Sequence, residues 1–280
     1  MASMNQGRPR GSRCTHPVAR WTVRSEYSSS PKTYFQRFGG AVPAGGSQLR
    51  SVALVSYSME QWSSPTKEVV FDSFAGVVKA FGSGRRLELL ELLAQGEHSV
   101  ESLARMTGAG LTAVSANLQT LKKANLVRTR REGTTIYYRL AGDDVAELYV
   151  VAKRVAMRRS PDLREVVLAY MDQVSPGIET PTIDPAAVTS DMTVVDVRPG
   201  SEFDAGHFPG AVSIPLVELD DRAGELPMGH LIVVYCRGEF CRMAREAAHR
   251  LRERGLDACA MDEGVVEWRV SKGVNLDGVA

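Results

Sequence analysis

Residues 231–255 read LIVVYCRGEFCRMAREAAHRLRERG, from Leu231 to Gly255. Five apolar residues, Leu231 to Tyr235, predict a strand buried on both faces of a parallel sheet. Cys236 stands at its carboxyl end. Behind it Ala244, Ala247, Ala248 and Leu251 recur at helical spacing, and Gly255 supplies the stop. A cysteine between a buried strand and a helix occupies the crevice where open α/β sheets place their chemistry. The short loop Cys-Arg-Gly-Glu-Phe-Cys curls its backbone N–H groups around the sulfur. The helix N-terminus adds its positive end, and Arg237 and Arg242 add full charges. These effects predict that Cys236 titrates below the ~8.5 of a free thiol. Cys241, five residues on, is close enough across a tight loop to pair with it, as a resolving thiol.

Composition sets the frame. A chain of 280 residues, 44% apolar and 24% charged, predicts a globular protein of two domains. Its net charge of +1 names no partner, and no run of eighteen apolar residues offers a membrane span. Four cysteines in this length make no disulfide framework, so a reducing cytoplasm is expected.

Residues 1–64 differ from the rest. Arg8, Arg10, Arg13, Arg20, Arg24, Lys32, Arg37 and Arg50 face one acid before Met59, Glu26, amid scattered Gly, Ser and Pro. With no sustained apolar period, such a segment is expected to be disordered. It reads as a basic DNA-tethering arm, as a transit peptide, or as sequence upstream of a true start at Met59. On the last reading Cys14 has no role.

From Thr66 the pattern changes. Val70, Phe74, Val77, Val78 and Phe81 mark one face of a helix capped by Thr66. Arg85–Ala94 predicts a second helix and Ser99–Thr107 a third, closed by Gly108. Thr112 caps a fourth, with Val114, Leu118 and Leu121 inward and Asn125 at its left-handed end. Leu126–Arg130 and Thr135–Leu140 then form a hairpin, completing a mainly α winged helix-turn-helix. The fourth helix turns Thr112, Ala113, Ser115, Ala116 and Gln119 outward, short enough to enter a groove of double-stranded DNA. Lys122, Lys123, Arg128, Arg130, Arg131 and Arg139 surround them. Groove-reading side chains ringed by phosphate-binding ones are the two parts such recognition needs.

Residues 68–150 resemble the ArsR family of dimeric bacterial repressors, through RRLELLELL, SVESLA and LQTLKKANLVRTRREGTTIYYRL. The resemblance implies a homodimer built on the first helix and on the amphipathic helix Asp143–Arg158, within a DNA-binding domain of residues 65–160. Metal-sensing members carry a Cys-x-Cys pair where this chain has Ser99 and Glu101, so no metal site of that kind is expected. Ser160-Pro161 starts a further amphipathic helix with Leu163, Val166, Val167 and Tyr170. Residues 161–182 are read as helix and linker, the linker running from Ser175 to Pro185.

The last part, 183–280, resembles the rhodanese homology domain, an α/β sulfurtransferase fold with a parallel sheet. The carrying motifs are TVVDVRPGSEFDAGHFPGAVSIP, the Cys236 loop and DEGVVEW. The resemblance implies a persulfide on Cys236, with Arg237 and the loop amides holding an anionic donor. Asp196, Arg198 and Glu202 are read as structural, an ion pair fixing a turn. His207 is read as scaffold and Trp268 as core. Glu239 places negative charge in the loop and argues for weak thiosulfate turnover, the expected donor being thiosulfate, polysulfide or a persulfide. Cys236 and Arg242 also satisfy the Cys-x5-Arg spacing of phosphatases and arsenate reductases, with Arg242 as anion clamp. The chain is thus expected to be a DNA-binding regulator whose Cys236 accepts or senses sulfane sulfur, with no cofactor and no metal. The alternatives are a sulfurtransferase tethered to DNA and an oxyanion-handling domain.

Overall fold

The computed structural model describes residues 65–174, 180–271 and 274–278. The basic segment with Met59 and Cys14, and part of the expected linker, lie outside the described residues. Helix α1, Lys67–Lys79, is capped by the Thr66 hydroxyl, which accepts the Val69 N–H at 3.4 Å. Helices α2 (Gly84–Leu93) and α3 (Val100–Thr107) follow, α3 ending on Gly108 at φ 63°. Helix α4, Leu111–Lys123, is capped by Gly110 and starts two residues earlier than a Thr112 cap predicts, because the Gly110 carbonyl already accepts the Ala113 and Val114 N–H groups. Asn125 closes it at φ 57°. The Leu126 N–H reaches the Leu121 carbonyl and the Asn125 N–H that of Lys122, satisfying two orphan acceptors.

Strands β2 (Val127–Glu132) and β3 (Thr135–Leu140) form the hairpin around Gly133, and β1 (His98–Ser99) pairs with the other edge of β3. Leu89, Leu90, Leu103, Val114, Leu118, Leu121 and Tyr138 fill the core between them. Helices α5 (Asp143–Arg159) and α6 (Pro161–Asp172) come next, α6 capped by Ser160 as the Ser-Pro pair predicts. No residue of α1 is buried. Val70, Phe74 and Val78 point outward, as do Leu148, Val151 and Val155 of α5.

The second half is a five-stranded parallel sheet in the order β4-β8-β7-β5-β6. Its strands are β4 (Thr182–Ile183), β5 (Thr193–Asp196), β6 (Val212–Ser213), β7 (Ile232–Tyr235) and β8 (Ala258–Met261). Between them run α7 (Gly200–Asp204), α8 (Leu219–Arg222) and α9 (Met243–Glu253), and α10 (Val265–Ser271) follows β8. The central strand β7 is buried along its whole length, which explains its uninterrupted apolar run. Ala244, Ala247, Ala248 and Leu251 of α9 cover one face of the sheet, and Val265 and Trp268 of α10 cover the other.

The two halves are packed together. Val266 of α10 belongs to the core of the helix-turn-helix half. At Gly96 a Cβ would stand 3.0 Å from that of Ala205, so the two halves approach tightly there.

Candidate functional site

Strand β7 delivers Cys236 to the carboxyl end of the sheet centre, and α9 begins seven residues later at Met243. Cys236 is 3% exposed, and its thiol donates to the Cys241 carbonyl at 3.3 Å. The Cys241 N–H bonds the Gly238 carbonyl at 2.9 Å, which closes the loop on itself. The start of α10 holds the loop from below, the Val265 and Val266 N–H groups reaching the carbonyls of Cys236 (3.4 Å) and Arg237 (3.1 Å). Glycine is required on both sides of this contact. A Cβ on Gly238 would lie 2.7 Å from Val266 Cγ1, and one on Gly264 2.5 Å from the Cys236 oxygen.

The thiols differ from expectation. Burial pushes the Cys236 thiol well above its ordinary value, outweighing the Ala244 and Gly238 N–H groups that act the other way. Cys241 moves down, through hydrogen bonding to Cys236, the charge of Arg237 and the N–H groups of Met243 and Arg237. The physical reason is depth: desolvating a thiolate at the bottom of the loop costs more than the loop amides return. Of the two thiols Cys236 is thus the one that holds its proton more tightly.

The two arginines are already engaged. Arg237 forms a forked pair with Glu202 at 2.7 and 2.9 Å, and its Nη2 lies 3.3 Å from Met106 Sδ of α3. Glu202 is thus the partner of Arg237, while the expected turn-fixing pair is Asp196 with Arg198 alone, at 2.6 Å. The Arg242 guanidinium stacks 4.3 Å over Tyr170 and donates to Gln173 Oε1 at 3.0 Å. The loop brings together Cys236, Cys241 and Arg237, while Arg242 faces α6. His207 is scaffold, stacked on Phe203 with Nδ1 2.9 Å from the Phe203 carbonyl.

Several residues around the loop carried no sequence signal. Lys153 of α5 is buried and pairs with Glu267 of α10, with Glu239 of the loop 3.5 Å away. Its ammonium also faces the rings of Tyr149 and Phe240. Glu91 accepts the Tyr149 hydroxyl at 3.1 Å, and burial raises its pKa despite the nearby Lys153. Gln95, fully buried just past α2, donates to the Arg237 carbonyl at 3.2 Å and accepts from Arg198 at 3.1 Å. Polar residues on an amphipathic helix read as solvated until a second body is placed on them.

The expected DNA-facing residues divide. Thr112, Ala113, Ala116, Gln119 and Lys123 are exposed on α4, and Ser115 is half-buried. Gln119 Nε2 donates to Tyr138 Oη at 2.9 Å, and Lys122 Nζ to Thr129 Oγ1 at 3.1 Å. These contacts put α4 on the Thr129/Tyr138 face of the hairpin. By register and alternation Arg131 shares that face, while Arg128, Arg130 and Arg139 lie on the other. Arg130 binds Glu97 and Glu132, at 2.8 and 2.7 Å, and stacks on Tyr137. Arg128 stands directly opposite Arg139.

A winged helix-turn-helix packed on a parallel-sheet domain with a cysteine loop defines a two-part class, a DNA-binding fold joined to an α/β one. Residues 83–129 match the family described as bacterial regulatory protein, arsR family, and residues 183–271 the Rhodanese-like domain. Over 208 residues, 74% of this chain and 92% of the relative, the sequence is 43% identical to "HTH-type transcriptional regulator Rv0324" of Mycobacterium tuberculosis. "HTH-type transcriptional regulator KmtR" of the same organism is 39% identical over 31% of this chain and 67% of its own. The solution structure of a homodimeric winged helix-turn-helix domain of Mb0332 from Mycobacterium bovis is 52% identical, with a TM-score of 0.33. It covers 35% of this chain and 90% of that one. The chain belongs to the ArsR family of transcriptional regulators and carries a rhodanese-like domain. Among the described residues no helix is long and apolar enough to cross a membrane.

Proposed function

We propose that the chain is a dimeric regulator of double-stranded DNA whose Cys236 loop accepts sulfane sulfur and passes that state to the DNA-binding half. The observation that carries this reading is the position of the loop. Arg237 touches Gln95 and Met106, and Glu239 and Phe240 touch Lys153, so a change in the loop acts directly on helices that support α4. The outward apolar faces of α1 and α5 support the dimer, since Phe74 alone forgoes about 1.5–3 kcal/mol while exposed. Two recognition helices so related dock on half-sites about one helical turn apart, ~34 Å.

The chemistry closes on the two thiols. A hydropersulfide donor R–S–SH gives its outer sulfur to Cys236: the Sγ–S bond forms, the R–S–S bond breaks, and the departing thiol R–SH carries away the Cys236 proton. Cys241 then attacks the Cys236 Sγ: the Sγ–Sγ bond forms, the bond to the outer sulfur breaks, and that sulfur leaves as H₂S. Two cysteines are oxidised and one sulfane sulfur is reduced. The engaged arginines favour this over oxyanion capture. Mass spectrometry after separate exposure to polysulfide, thiosulfate and arsenate tests the reading, with sulfur uptake at Cys236 expected from polysulfide. Cys241→Ser should retain the adduct. A Cys236→Ser chain that still changes its DNA affinity on polysulfide treatment would remove the loop as sensor.

A further inference from the structure

We infer that Gln95 is the positioning residue through which the loop reaches the recognition helix; this rests on the sulfur reading above. Gln95 is fully buried and uses its amide in three directions. Its Nε2 donates to the Glu91 carbonyl in α2 at 3.1 Å and to the Arg237 carbonyl in the loop at 3.2 Å, while Oε1 accepts from Arg198 at 3.1 Å. Both donor hydrogens are committed. One bonds the helix it follows, and the other the loop residue next to Cys236.

Both sides of this link are stiff. Asp196 and the Gly206 carbonyl hold the rest of the Arg198 guanidinium. On the other side Leu89, Leu90 and Leu93 of α2 share a core with Val114, Leu118 and Leu121 of α4, which leaves little room for a shift to dissipate. Joining Cys236 to Cys241 removes the thiol-to-carbonyl hydrogen bond that shapes the present loop and redraws the Arg237 peptide. Gln95 then loses a partner in a place water does not reach, and the end of α2 moves to recover one. Gly96, pressed against Ala205, makes that movement a displacement of the two halves rather than a local adjustment.

The test uses the full chain, sodium tetrasulfide, and a DNA site selected from a random library by the reduced protein. Wild type should take up sulfur at Cys236 and change its DNA affinity by about 5- to 150-fold, the usual span of coupling between sites. Gln95→Glu keeps an acceptor for Arg198 and drops the Nε2 donor toward the Arg237 and Glu91 carbonyls; Gln95→Leu drops the acceptor as well. Both variants should still take up sulfur, with the affinity change reduced to about twofold or less. A merely structural residue would instead lower affinity with and without sulfur alike, and a full response in Gln95→Glu would overturn the inference. Hydrogen exchange on wild type guards against a variant that fails to fold. Amides of residues 92–97 should exchange faster after tetrasulfide, and unchanged exchange beside a confirmed Cys236–Cys241 disulfide would equally overturn it. Absence on wild type of both an adduct and a Cys236–Cys241 disulfide would instead overturn the sulfur reading, and this link with it.

Discussion

Replacing Lys153 with methionine removes the cation that α5 sends into the second half while keeping most of its apolar stem. The Lys153 side chain is 4% exposed and that of Glu267 9%, so the change strands a carboxylate that water cannot reach. Breaking a buried pair from one side costs about 3–5 kcal/mol. Glu239, 43% exposed, is screened and adds no more than about 1 kcal/mol. Against a total stability of about 5–15 kcal/mol this is a large share. Urea unfolding followed by the fluorescence of Trp268, which sits in the α10 core, should show the loss. Lys153→Met with Glu267→Leu should recover most of it, because the stranded charge is then gone as well. A single variant within about 1 kcal/mol of wild type, or a double variant no better than the single, would refute the argument that this buried pair holds α5 to α10.

At neutral pH iodoacetamide should label Cys241 before Cys236, read by peptide mass spectrometry, with Cys236 reacting only as the pH rises well above the ordinary thiol range. In the wing, Arg131→Ala should lower the salt dependence of DNA binding by about one counterion. Arg130→Ala should leave that slope nearly unchanged, because its charge is matched by Glu97 and Glu132. Glu91 has a folded pKa raised by burial, so the folded state holds the proton more tightly than the unfolded one. Stability therefore falls as pH rises from the unfolded value toward the folded one. Glu91→Gln should accordingly gain on wild type in thermal melts above that window and show no such gain below it.

The sequence made the elements legible wherever a residue has one physical use. Thr66, Ser99 and Ser160 cap as their types predict, and Asn125 takes the left-handed turn. The uninterrupted apolar run at β7 marked the buried strand. The site was legible only as far as the loop itself. Burial pushes the Cys236 thiol up, and spacing carries no depth. The arginines read as free because their partners, Glu202 and Gln173, lie 35 and 69 residues away in the chain. Gln95 and Lys153 carried no signal because the surface that buries them belongs to the other half. The first helix behaves in the reverse way: its apolar face was visible, and within one chain it stays uncovered.

Val266 sits in the core of a half that ends more than a hundred residues before it. Two modules joined only by a flexible tether can be exchanged between genes as a cassette, each bringing a finished surface. Here neither surface is finished alone. The rhodanese-like half without its companion would expose Val266 and a lone Glu267, and the DNA-binding half would expose Lys153 and Gln95. Once such a seam has formed, the two parts are inherited as one object, and each substitution along it is judged by both sides.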